Sequence, residues 1–376
     1  MNHRQQHLET MLFGNPDHIP FNPGGGRQST HEAWYSQGLP KEIKPHEITR
    51  YAYEQAGGKL QFSKGGPGIP VNSRMIPEFE EKVIETKENS QVVQDWKGNI
   101  CEIGLEFDVT YLRNAMDFVT RRWIKCPVEN RADWKDMMKR YDIEDIHRLE
   151  GLDKIEGIGH DREHYLKIMF HGPYWQLREW CGFEGLSMMF YDDPVLVQDM
   201  IKFWEEFIYK MIEKVLKYTT PDEIHISEDM AYKGFSMVSP DMTREFLLPT
   251  WKRWGELIRN SGIPVYAVDS DGFIGELIPI WLDAGVNACD PIEVAAGNDI
   301  CEFRKKFGKN MAYRGGVDKR EMAKGGSHIE KEMDRLESVI KDGGFLPSCD
   351  HGVPADVSWP NFVYYCKLLA EKTGWL

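Results

Sequence analysis

The sequence predicts an α/β fold, a TIM (β/α)8 barrel with an inserted N-terminal β-hairpin, and three observations carry that prediction. From about residue 160 onward, short apolar runs ending in polar or glycine-rich turns alternate with amphipathic helical stretches. The 376-residue length suits a barrel of about 250 residues with insertions, and successive runs start roughly 20 to 55 residues apart, enough for one strand and one helix each. No GxGxxG follows an apolar run, which removes the main support for a doubly wound nucleotide-binding sheet. One domain spanning 1–376 is expected.

An amphipathic helix over 4–13 comes first, followed by the turn Gly14-Asn15-Pro16-Asp17 and an apolar step at 18–21 that reads as a first strand. Gly24-Gly25-Gly26 then frees the backbone ahead of Arg27, and a helix starts near Thr30. From about 57 to 126 the texture changes to a Gly/Pro stretch and two β-forming segments, 82–86 and 91–96, separated by polar residues. This is the expected hairpin, placed as a lid. A charged helical segment covers 130–155. Six strands follow at 168–172, 223–229, 265–272, 286–291, 311–316 and 345–352. Between them Asp192-Asp193-Pro194 opens a long helix to Lys217, and Ser239-Pro240 opens another. The eighth strand has no clear position.

With 60 acidic and 46 basic residues the formal charge is −14, so no general attraction for a phosphate backbone exists and nucleic acid is excluded as the expected partner. Hydrophobic residues at 41% and aromatic residues at 12% indicate a packed core. No apolar run reaches the roughly 18 residues of a membrane span, and no export signal opens the chain. The seven cysteines are scattered without CxxC spacing, which reads as reduced thiols and a cytoplasmic protein.

In such a barrel the strand ends meet at one mouth, and here they are acidic: Glu228, Asp229, Asp269, Asp271, Asp290, Glu293, Asp318 and Asp350, joined by His171, Cys349 and His351. Asp290 and Asp318 read first as helix caps. Glu228 and Asp229 lie between an alternating apolar strand and Met230-Ala231-Tyr232, a setting that raises the pKa of at least one carboxyl and keeps a proton available. The alternative for Glu228 is a structural ion pair with an arginine. Asp269 and Asp271, at i and i+2, could join Cys349 or His351 around zinc, or form a hydrogen-bonded acid pair beside an ordinary buried cysteine. Trp34, Tyr174, Trp175, Tyr232, Phe235, Met237 and Phe273 lie near the same ends, divided between core and a pocket for a flat apolar substrate.

Over about residues 160–365 the chain resembles the uroporphyrinogen decarboxylase superfamily. The resemblance rests on an ordered set: Gly172-Pro173, Asp192-Asp193-Pro194, Ser227-Glu228-Asp229-Met230-Ala231-Tyr232-Lys233, Ser239-Pro240, Asp269-Ser270-Asp271-Gly272, Pro291-Ile292-Glu293, Gly315-Gly316-Val317-Asp318-Lys319 and Asp350-His351-Gly352-Val353-Pro354. It implies a TIM barrel and one of two chemistries, porphyrinogen decarboxylation or methyl transfer involving a corrinoid. The decarboxylase calls for an arginine-rich N-terminal loop, and here only Arg27 stands there. Zinc-dependent methyltransferases of the superfamily carry His-x-Cys-Gly where this chain has Asp269-Ser270-Asp271-Gly272, so a soft thiol-activating zinc site gives way to a harder one.

The resemblance therefore implies an O-demethylating methyltransferase, in which the methyl group of a methoxylated aromatic passes to a Co(I) corrinoid. Glu228, Asp229 and Asp271 would be catalytic, Arg27, Trp34, His171, Trp175, Tyr232 and Met237 would bind substrate, and Asp269, Asp271, Cys349 and His351 would hold a metal, Zn2+ being the candidate. The chain has no Asp-x-His-x-x-Gly motif, so the corrinoid is expected on a separate carrier protein. A homodimer is compatible with this reading, and decarboxylation is the alternative.

Overall fold

The computed structural model describes residues 1–59, 68–110, 113, 120–152, 159 and 161–376. Parts of the expected lid at 57–126 and of the expected helix at 130–155 lie outside the described residues. Where the sequence reading runs one domain throughout, contacts divide the chain into two units: Met1–Ile69, Ile155–Met169 and Thr219–Leu376 form one, Pro70–Lys154 and Phe170–Tyr218 the other.

The second of these contains an antiparallel sheet of four strands in sequence order, β1 (Lys82–Thr86), β2 (Ser90–Gln94), β3 (Ile100–Gly104) and β4 (Arg121–Lys125). The two segments read as a hairpin are β1 and β2; β3 and β4 add to them. β4 escapes a periodicity search because three of its five residues are charged, which erases the alternation of a half-buried strand. Val93, Cys101 and Ile103 form the core of this sheet with Phe107 and Val109 packed against them. The helix Pro194–Leu216 is anchored by Asp193, whose carboxylate accepts the Leu196 N–H, and by Pro194 in its first turn. Its buried residues, from Leu196, Val197, Met200 and Ile201 through Trp204 to Val215, recur at helical spacing and make one apolar stripe. Trp204 packs edge-to-face on Trp180 with centroids 5.7 Å apart.

In the other unit lies a six-stranded sheet in the order β12-β11-β10-β9-β6-β5, built from β5 (Lys167–His171), β6 (Glu223–Ser227), β9 (Val265–Asp269), β10 (Ala288–Asp290), β11 (Ala312–Val317) and β12 (Phe345–Cys349). The chain passes from one unit to the other within β5. The pairs from β6 through β12 are parallel. Two short strands, β7 (Ala231–Tyr232) and β8 (Phe235–Ser236), form a separate hairpin directly after β6. All six strands of the large sheet coincide with apolar runs read from the sequence. The run at 18–21 does not form a strand. Pro20 and Pro23 remove two backbone donors from this stretch, Ile19 instead donates to Thr373 O, and Trp375 Nε1–H donates to Ile19 O. Just beyond, Pro23 O and Gly25 O accept from Cys349 and Val353, so the segment flanks β12 through an isolated bridge, Gly26 to Val353.

One face of this sheet explains the position of the site. Val265, Ala267, Ala288, Ala312 and Leu346 lie on that face and pack with Met11, Leu8 and Phe13 at the helix His3–Met11. Two residues further along the strands the same face becomes polar, with Asp269 after Ala267, Asp290 after Ala288, Arg314 after Ala312 and Ser348 after Leu346. The opposite face is a continuous apolar layer of Ile224, Ile226, Tyr266, Val268, Cys289, Tyr313 and Phe345, all buried. No helix among the described residues is long and apolar enough to cross a membrane.

Candidate functional site

Parallel register brings the polar ends of β6, β9, β10 and β11 to one level. Ser227 pairs with Asp269, Asp269 with Asp290, and His225 with Ala267 one layer below. Because Ala288 pairs with Ala312, Arg314 falls beside Asp290. The result is a buried charged network. Arg314 grips Glu223 with both Nη atoms, Nη1 at 3.0 Å, and its Nη1 is 3.5 Å from Asp290. Tyr165 donates to Glu223 Oε2 at 2.6 Å and His225 Nδ1 lies 2.9 Å from Oε1, with Lys167 Nζ at 3.7 Å. Burial opposes the charge on Glu223, but Arg314, His225 and Lys167 outweigh it and hold the carboxyl well below the ordinary range. Asp269 goes the other way. Burial, aided by Asp290 and Asp271, pushes its pKa up to about 6 against the pull of His225.

Just past β6, Glu228 is fully buried, and the indole N–H of Trp251 donates to its Oε1 at 2.6 Å. Trp251 is delivered by the helix Leu248–Asn260, which follows a π-helical turn, Thr243–Leu247. Pro249 lacks the N–H that an α-helix would use there, and Leu248 reaches back five residues to Thr243 O. The backbone N–H groups of Glu228 and Asp229 both approach Asp269 O, at 3.0 and 3.4 Å. Asp229 holds φ 41°, and Ile292, in the loop after β10, holds φ 51°. The second is costly for a β-branched residue, and such strain concentrates where a site must be shaped.

The loop after β9 completes the edge. His351 Nε2 lies 3.1 Å from Asp271 Oδ2, while Arg27 donates from Nη2 to His351 Nδ1 at 2.9 Å. With Nδ1 accepting, the ring proton sits on Nε2 and is directed at Asp271. The hydrogen bond to Asp271 raises the pKa of His351, with burial and Arg27 opposing. Asp350 is fully buried, accepts the Val294 N–H at 2.9 Å and lies 3.5 Å from Lys319, which also reaches Glu293 at 3.3 Å. Gly272 donates to Glu293 Oε2 at 3.0 Å and has φ 82°; a Cβ there would sit 2.4 Å from the Ala231 carbonyl carbon. Gly272→Ala is therefore expected to destabilise the protein by more than about 1 kcal/mol, read from urea unfolding. An unchanged midpoint would mean that the β7–β8 hairpin moves aside without cost.

The structure brings Glu228, Asp229, Asp269, Asp271, His351 and Arg27 to this sheet edge, with Tyr232 exposed on β7 and Met237 half-buried just after β8. Trp34 is a correction. It is fully buried, donates to Val357 O at 2.7 Å and stacks on Phe362 with centroids 4.5 Å apart, so it is core and cannot line a pocket. His171 and Trp175 belong to the other unit, their rings 5.4 Å apart, and burial pushes the His171 pKa down to about 4. Asp318 caps the helix Lys319–Lys324 through the Arg320 N–H, as the capping reading has it. Asp290 does not cap; it faces Arg314.

The expected zinc set also fails a geometric test. Among the described residues no three His, Cys, Asp or Glu side chains are grouped to hold a metal ion. Asp271 and His351 meet, but Cys349 is buried, with its Cβ against Gly24, and burial, reinforced by Asp350, pushes its thiol up to about 12. All seven cysteines are free. Sequence reading missed Glu223, His225, Arg314 and Trp251. The signal for the first two was present, a charged residue and a histidine at i and i+2 inside an apolar strand.

No protein family model matches the chain, and no curated protein sequence matches it. Among solved structures, a methyltransferase from Methanosarcina mazei shares the fold with a TM-score of 0.55 at 12% identity, covering 99% of this chain and 99% of that one. A B12-independent methionine synthase from Shewanella sp. W3-18-1 overlaps 56% of this chain and 61% of its own at 14% identity, with a TM-score of 0.38. The first establishes a common fold over the whole chain.

Proposed function

We propose that this protein is a methyltransferase that moves a methyl group from a small methoxylated aromatic donor to a Co(I) corrinoid borne by a partner protein. One observation carries the reading. Glu228, a carboxyl with no solvent exposure, stands at the C-terminal edge of the sheet beside strained backbone, the position from which an acid can act on a leaving group. The fold shared with a methyltransferase along the full chain supports it. In this reading the six strands are the described part of a closed (β/α)8 barrel, with residues 23–26 beside β12 on the way to closure.

The reaction breaks the methyl–oxygen bond, and its electron pair stays on the oxygen. The corrinoid supplies the attacking electron pair as the methyl acceptor. Left as an anion, the departing oxygen would be a poor leaving group, so Glu228 gives it a proton. Asp271, oriented by His351 and Arg27, positions the donor at the exposed rim, and Asp229 adjoins the acid. In this reading the acids carry the proton transfer. Free cysteines are in keeping with a cytoplasmic setting.

The test is spectroscopic. The full chain, mixed with a reduced corrinoid protein and a panel of methoxylated aromatics, is expected to replace the Co(I) absorption with that of methylcobalt for at least one donor. No conversion with any donor, together with turnover of a porphyrinogen, would transfer the assignment to decarboxylation.

A further inference from the structure

Three buried acceptors converge on the polar face of the sheet and none has a hydrogen-bond partner: His225 Nε2, Asp269 Oδ1 and Asp290 Oδ1. His225 is 1% exposed and its Nε2 points toward Asp290 Oδ1, 3.8 Å away, while Asp269 and Asp290 are register partners on adjacent strands. The tautomer of His225 follows from its other nitrogen. Nδ1 lies 2.9 Å from Glu223 Oε1, which Arg314 holds ionised, and must carry a hydrogen, so that whenever the ring is neutral Nε2 is a bare lone pair. Buried acceptors of this kind are costly unless a donor reaches them.

The charge count points to the donor. Glu223, Asp269 and Asp290 face two permanent cations, Arg314 and Lys167, so with all three ionised and the His225 ring neutral the network lacks one positive charge. Three acceptors and one missing charge match a primary ammonium, which has three N–H donors and a single charge. A quaternary ammonium supplies the charge without the donors, and the described residues do not group as a metal site. Asp290 is the solvent-facing member of the three, its side chain 20% exposed against 1% for His225.

We propose that His225, Asp269 and Asp290 form a seat for the primary ammonium group of a small-molecule ligand. The inference is independent of methyl transfer, because it names what the floor of the site recognises whatever reaction takes place above it. It also differs from the anionic polycarboxylate that a decarboxylase would take.

The experiment uses the full chain and three probes of one ring size: benzylammonium, benzyl alcohol and benzyltrimethylammonium. Calorimetry is expected to show benzylammonium binding at least about tenfold more tightly than the other two, and Asp269→Asn to weaken it by a similar factor while barely touching the alcohol. In the wild-type chain the ring nitrogen signals of His225, assigned by His225→Gln, are expected to show a neutral Nδ1–H ring whose Nε2 resonance moves on saturation with benzylammonium. That measurement stands even if Asp269→Asn fails to fold. Equal affinity for the three probes overturns the proposal. So does an imidazolium at His225 in the ligand-free protein at neutral pH, because the acceptors would then be satisfied by a shared proton and need no ligand.

Discussion

Glu228→Gln is expected to keep the fold and lower turnover by about 100-fold or more. The substitution preserves volume, and a glutamine oxygen can still accept the Trp251 indole N–H that now reaches Oε1 at 2.6 Å. What disappears is the transferable proton, so the departing oxygen has to leave unprotonated. The assay is the rate of Co(I) consumption with the best donor, measured beside a urea unfolding curve. Slow turnover with an unchanged unfolding midpoint assigns the proton to Glu228. A lowered midpoint with full turnover would make Glu228 a structural acceptor for Trp251 and remove the acid from the mechanism.

The second large effect is on stability. Arg314→Met leaves Glu223 fully buried without its bidentate partner and takes from Asp290 its nearest cation. Removing one member of a buried pair typically costs about 3–5 kcal/mol, mostly because the stranded charge cannot be resolvated. Glu223→Gln combined with Arg314→Met removes both charges together and is expected to recover a good part of that loss. Urea unfolding measures both, followed by two probes because the chain has two units and the transition need not be two-state. A single substitution costing less than about 1 kcal/mol would show that Lys167 and His225 suffice for Glu223.

Much of the fold was legible because its signals are local. Asp193 and Pro194 announce the helix Pro194–Leu216, and Ser239 caps the next through the Met242 N–H, since capping needs only residues within one turn. Apolar runs at β6, β9, β10, β11 and β12 mark strands buried on both faces, while β5 alternates buried and exposed residues. The acids at or just past the ends of those strands, Glu228, Asp269 and Asp271, were legible for the same reason. The segment at 18–21 looked identical by composition, yet its two neighbouring prolines and its contacts with Trp375 and Thr373 keep it out of the sheet. Its partners lie more than three hundred residues away.

By itself, then, the sequence determined the order of strands and helices and the acidic character of the strand ends, because periodicity, capping and turn chemistry act over a few residues. Only the tertiary structure decided which polar groups share a layer. Glu223, His225, Asp269, Asp290 and Arg314 come from four strands, and parallel register sets them side by side. The same folding packed Trp34 against the C-terminal helix and buried Cys349 beside Gly24, although both were read as facing the site. Whether a side chain faces a cavity or a helix depends on what arrives over it from elsewhere in the chain, and a residue's own neighbours in sequence carry no record of that.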